Sequence, residues 1–123
     1  MKNELDDIRN TLKSLFNRHV PPLQIRKDTS GVFETSGTKQ VMQGKQVVDG
    51  HYYGSVVPKP RDIRLYFFPI YTHPDKFDLS PELRKCLKGK SCFHIRKLTP
   101  EVENEIATML AQGVKLYQKE ELI

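Results

Sequence analysis

Long apolar runs are missing from this sequence: the longest, 65–71, falls far short of the roughly twenty residues that a membrane-crossing helix needs. Cysteine is scarce. Cys86 and Cys92 are the two present, too few for a disulfide framework and not spaced as Cys-x-x-Cys, so two free, structural thiols are expected. His19, His51, His73 and His94 are scattered, with none at the paired spacing of a metal-binding helix. A Gly-x-Ser-x-Gly elbow, a zinc-protease helix and a dinucleotide fingerprint are all absent. Gly89-Lys90-Ser91 resembles the tail of a phosphate-binding loop, but the earlier glycine falls at Arg84 and the segment follows a helix instead of a strand. These absences rank a binding module above an enzyme. Repeats, low-complexity tracts and linkers are missing too, which leaves one domain over 1–123 as the simplest organisation.

What is present describes a folding chain. Its 123 residues are 37% hydrophobic and 28% charged, enough apolar surface for one core and unlike a disordered sequence. The net charge is +5 and the sequence pI about 9.2, which makes an anion a natural partner. The first seven residues are too acidic and amphipathic for a secretory signal, so a cytoplasmic location is expected.

Leu5, Ile8, Leu12, Leu15 and Phe16 form one stripe on a helix over 3–19, stopped by Pro21-Pro22. Strands at 23–26 and 32–35 flank the turn cluster 28–31, whose Gly31 can accept positive φ, so this segment reads as a β-hairpin. Residues 37–49 are polar and glycine-punctuated, and admit a short strand, a loop or both. Strands over 51–57 and 63–70 read most strongly and are expected to pair antiparallel. Ser80-Pro81-Glu82 and Thr99-Pro100-Glu101 are two helix openings: a hydroxyl that accepts an orphan N–H, a proline with no donor to waste, and an acid suited to the positive helix end. The first helix is expected to stop near Lys88 with Gly89 as its left-handed end. A strand follows over 92–96, with Phe93 and Ile95 inward. The last helix, 99–119, carries Val102, Ile106, Met109, Leu110, Val114 and Tyr117 on its stripe, with Gly113 permitting close approach to a sheet.

This order predicts an α+β fold: N-terminal helix, antiparallel β-sheet, short helix, further strand and long C-terminal helix, with the helices on one sheet face. If Ile63, Leu65, Phe67, Phe93 and Ile95 face the helices, Arg64, Tyr66, Phe68, Cys92, His94 and Arg96 line the other face. That mixture of aromatics, cations and an imidazole is the candidate ligand-binding surface. The plainer alternative is that 37–49 or a second copy in a homodimer covers it.

The leading helix, the run Tyr66-Phe67-Phe68-Pro69-Ile70-Tyr71 and the run Cys86-Leu87-Lys88-Gly89-Lys90-Ser91-Cys92-Phe93-His94-Ile95 before a closing helix resemble the bacterial YdhG-like family, part of which is labelled frataxin-like. The resemblance spans most of the chain and implies a curved antiparallel sheet against helices. It carries no catalytic residues over, and iron donation is the one role it suggests. Iron or zinc would draw on Glu4, Asp6 and Asp7 together with Cys92 and His94, but carboxylates at a helix start are expected from the helix dipole alone. Glu101, Glu103 and Glu105 form a second such cluster.

Three functions follow in order. The first is a non-enzymatic module that binds a small anionic ligand or a protein partner on the open sheet face. The second is a frataxin-like iron or zinc carrier. The third is weak nucleic-acid or anion binding by the basic segment 84–97, with Arg84, Lys85, Lys88, Lys90, Arg96 and Lys97.

Overall fold

The computed structural model describes residues 3–123. Helix α1 (Leu5–Asn17) leads into strands β1 (Gln24–Asp28), β2 (Phe33–Ser36), β3 (Gln40–Gln43), β4 (Gln46–Asp49), β5 (Tyr52–Pro58) and β6 (Ile63–Phe67). Helix α2 (Pro69–Thr72), a 3₁₀ turn (Pro74–Lys76), α3 (Pro81–Cys86), β7 (Cys92–Ile95) and α4 (Pro100–Lys119) complete the order. Five strands form one antiparallel sheet, β1-β2-β5-β6-β7. The α+β class and its element order are as the sequence predicts. No helix among the described residues is long and apolar enough to cross a membrane.

Strand alternation separates the sheet's two faces. Phe33, Val56, Leu65 and Phe93 stand opposite one another across four strands, all at most 1% exposed, and fill the core beneath α1 and α4. Ile8, Leu12, Leu15 and Phe16 enter from α1, and the predicted α4 stripe is buried throughout. A one-residue slip between β2 and β5 inserts Tyr53 as a β-bulge, so Tyr53 joins the core while Tyr52 turns outward. Gly113 lets α4 settle against that core, because a Cβ there would lie 2.5 Å from the Tyr53 hydroxyl and 2.8 Å from Phe67 Cζ.

Both helix openings form as read: Ser80 accepts from the Leu83 N–H and Thr99 from the Val102 N–H, each at 3.2 Å. Two expectations are corrected and two readings that the sequence left open are resolved. Strand β6 ends at Phe67, and Phe68 adopts helical φ and ψ at the start of α2. Helix α3 ends at Cys86 because Leu87 turns extended and bridges Phe93; Gly89, at φ +142, serves the following turn, where the Lys88 N–H donates to Cys92 O at 2.8 Å. The β1–β2 turn does not use positive φ at Gly31. The Thr29 hydroxyl holds it instead, accepting from the N–H groups of Gly31 and Val32 at 3.2 and 3.1 Å. Residues 40–49 form the two-stranded hairpin β3–β4, with Gly44 at φ +64 in its two-residue turn. The hairpin is tied to the Tyr52 end of the sheet by the Tyr52 N–H donating to Gln43 Oε1, and by Gln24 Nε2 donating to Asp49 O.

Candidate anion-binding cleft

The outward side chains form two cross-strand rows, Glu34–Ser55–Tyr66–Cys92 and Val57–Arg64–His94. Five of the six candidate residues therefore lie on or beside one face, and the structure sorts them into groups. Phe68 has left the sheet and makes tilted or edge-on ring contacts with His51, Tyr52 and Tyr71 at centroid separations of 5.5, 5.6 and 5.5 Å. Tyr66 and Cys92 are lateral neighbours, and the Tyr52 hydroxyl is 2.7 Å from Ser55 Oγ. Arg96 lies one residue beyond β7 and is exposed.

Asp62 organises the other end. It closes the turn after β5, with the Lys59 N–H donating to its carbonyl at 2.9 Å, and it is 7% exposed. Arg64 Nε donates to Asp62 Oδ1 at 2.8 Å, which holds the guanidinium charged and oriented. His94 Nδ1 stands 3.7 Å from Asp62 Oδ2, an ion-pair distance when the ring is protonated and too long for a hydrogen bond. Asp62 was not among the candidate residues. Its part depends on the register that sets Arg64 opposite His94, and spacing along the chain does not show register.

Beside this pair opens a cleft of ≈ 810 Å³ between α3, the end of β7 and the start of α4. Its polar wall carries Lys85, Lys88, His94, Arg96 and Lys97 against Glu82 and Asp62, and Pro81, Val102 and Cys86 supply apolar surface. Two elements bring these cations together: α3 ends in basic residues, and the Leu87–Phe93 bridge folds that end back along β7. The basic segment 84–97 is thereby divided. Arg84 and Lys90 line a separate groove with Tyr71 and Phe77, where Lys90 Nζ sits 5.3 Å from the Tyr71 ring centre.

Burial pushes the Tyr52 phenol up to about 12 and raises Tyr66, whose neighbour Cys92 adds to the effect, so both are hydrogen-bonding phenols at neutral pH and not bases. Burial also pushes the Cys86 thiol up, with Glu82 in support and Lys88 and Lys97 opposing, so the reactive thiolate is disfavoured. Both cysteines are free.

The metal donor set does not assemble. Glu4, Asp6 and Asp7 precede or open α1, on the helix side of the sheet, and Asp6 pairs with Arg9 at 3.8 Å. Cys92 and His94 project from the opposite face. Among the described residues, no three His, Cys, Asp or Glu side chains gather around one point.

No protein-family model, curated protein or solved structure matches the chain.

Proposed function

We propose that this protein is a non-enzymatic binding domain, of the YdhG-like type, whose cleft between α3, β7 and α4 holds a small anionic ligand. One observation carries the reading. The cleft places four obligate cations and an imidazole against two carboxylates, and one of those carboxylates, Asp62, is already engaged by Arg64. Arg96 offers a planar fork of donors suited to carboxylate or phosphate, while the lysines supply point charges around it. Pro81 and Val102 give the ligand's non-ionic part a dry wall. The division of 84–97 between two grooves weighs against that segment acting as one nucleic-acid surface.

The test is calorimetric titration with inorganic phosphate and small mono- and dicarboxylates at low salt, on the wild type and on a His94→Ala/Arg96→Ala double variant. Loss of charge-assisted hydrogen bonds is expected to weaken binding by about tenfold or more. The unliganded melting temperature should stay within about 2 °C of wild type, as for other substitutions on an accessible surface. Unchanged affinity in the double variant would remove the cleft from consideration.

A further inference from the structure

A second basic cleft, of ≈ 350 Å³, adjoins the first and is lined by Lys59, Pro60, Arg61, Asp62, Arg64 and Arg96. Two residues, Asp62 and Arg96, belong to both clefts. Asp62 is 7% exposed and occupied by Arg64, so it forms the floor between them, and the exposed Arg96 is the cation that both can reach. Lys59 and Arg61 stand exposed on the β5–β6 turn and make no ion pair among the described residues. Positive charge that makes no ion pair among the described residues thus stands on each side of Arg96, supplied by two segments far apart in sequence: the turn 59–61 on one side and Lys85, Lys88 and Lys97 on the other.

From this arrangement we infer that the ligand carries two anionic groups on one linker, one held in each cleft, with Arg96 between them. The inference rests on the anion-binding reading of the larger cleft and adds the ligand's class: a bis-anion such as a compound with two separated phosphate groups. A single small anion can engage one cleft and leaves the charge of the other unused. A linked pair makes the second contact intramolecular, and the gain peaks when the linker matches the span. A polyanion chain would share this chemistry, but its affinity would keep rising with length instead of peaking.

The experiment is titration of the intact protein at fixed ionic strength with α,ω-alkane bisphosphonates of increasing chain length, beside n-alkyl monophosphonates of the same lengths. We expect one linker length to bind about tenfold or more tighter than its monophosphonate. Lys59→Ala/Arg61→Ala should bring that bisphosphonate down to the monophosphonate level, and Arg96→Ala should weaken both. Monophosphonate binding without a bisphosphonate gain beyond about twofold would overturn the two-cleft inference and leave the anion-binding reading standing. A gain that survives Lys59→Ala/Arg61→Ala would overturn it as well, and so would an affinity that climbs with length without a peak. Binding of neither class would defeat the anion-binding reading itself, and the inference with it.

Discussion

The two faces of the central sheet share a backbone and differ by one step of strand alternation. On the helix side, Phe33, Val56, Leu65 and Phe93 meet in a row at most 1% exposed. One residue along each strand, Glu34, Ser55, Tyr66 and Cys92 form a row of mixed polarity in which only Ser55 is fully buried. The first row holds the strands against α1 and α4 by removing apolar area from water, at about 25 cal/mol per Å². The second can vary without emptying the core, and beyond it lie Arg64, His94 and Arg96, where the two clefts open. Core packing and the proposed binding surface are therefore separable by substitution, residue by residue, along a single strand.

The sharpest way to break that comparison is on β6, where adjacent residues face opposite ways. Leu65→Ala leaves a cavity between sheet and helices and should cost about 2–5 kcal/mol. Tyr66→Ala removes a half-buried ring from the outer row and should cost under about 1.5 kcal/mol. Urea denaturation midpoints decide the matter. Equal losses would mean that the outer face is as structural as the inner one.

A smaller effect tests how closely the inner side is packed. Gly113→Ala would stabilise an unpacked helix by up to about 1 kcal/mol through backbone entropy. Here the new methyl would stand 2.5 Å from the Tyr53 hydroxyl and 2.8 Å from Phe67 Cζ, on two rings that are 0% exposed. Tyr53 cannot swing away freely, because its hydroxyl donates to Leu110 O within α4. Overpacking, at about 1–3 kcal/mol, outweighs the entropy gain, so thermal and urea unfolding should both shift toward lower stability. A stabilised variant would show that the α4–sheet contact gives way more easily than its geometry implies.

Much of the inner side is legible in the sequence because its determinants are local. Ser80 and Thr99 cap their helices with their own hydroxyls, and the α4 stripe repeats at helical spacing. Where local chemistry and tertiary pairing conflict, pairing decides. Leu87 ends α3 by bridging Phe93, which moves the positive φ of Gly89 from a helix end into a turn. Tyr66-Phe67-Phe68 reads as one aromatic strand, yet Phe68 goes helical before Pro69, against the usual steric preference, with its carbonyl accepting from the Tyr71 N–H and its ring packed on His51, Tyr52 and Tyr71. The outer side is legible only in part. His94, Arg96 and the lysines carry their own signal as cations, but Asp62, Lys59 and Arg61 gain their place from the register of β6 on β7 and from the turn that folds them toward Arg96. Register is a property of paired strands and is weakly written in either strand alone.

His51 joins the two sides, and it carries the smallest expected effect. Its ring meets Tyr117 of the core at 5.2 Å and Phe68 of the outer aromatic group at 5.5 Å. The Tyr117 hydroxyl gives its one proton to Tyr52 O, so at the 2.9 Å contact between His51 Nδ1 and that hydroxyl the imidazole is the donor. Burial lowers the His51 pKa below its ordinary 6.5, the repulsion from His73 adds to this, and the Tyr52 carbonyl and Glu120 pull the other way. A histidine depressed in the folded state binds a proton more readily once unfolded, so its neutral form contributes stability that is present above pH 6.5 and lost as pH falls through the folded value. His19 is lowered in the same direction, by burial and then by Arg18, and keeps a similar slope when His51 is replaced. The fall in unfolding free energy between about pH 7.5 and pH 5.5 should therefore shrink in His51→Gln by under about 0.5 kcal/mol, since the ring is partly solvated. Measuring that difference by urea titration at the two pH values tests the junction directly: a steeper loss in the variant would mean that His51 is charged in the native state, with its proton shared between the core tyrosine and the outer face.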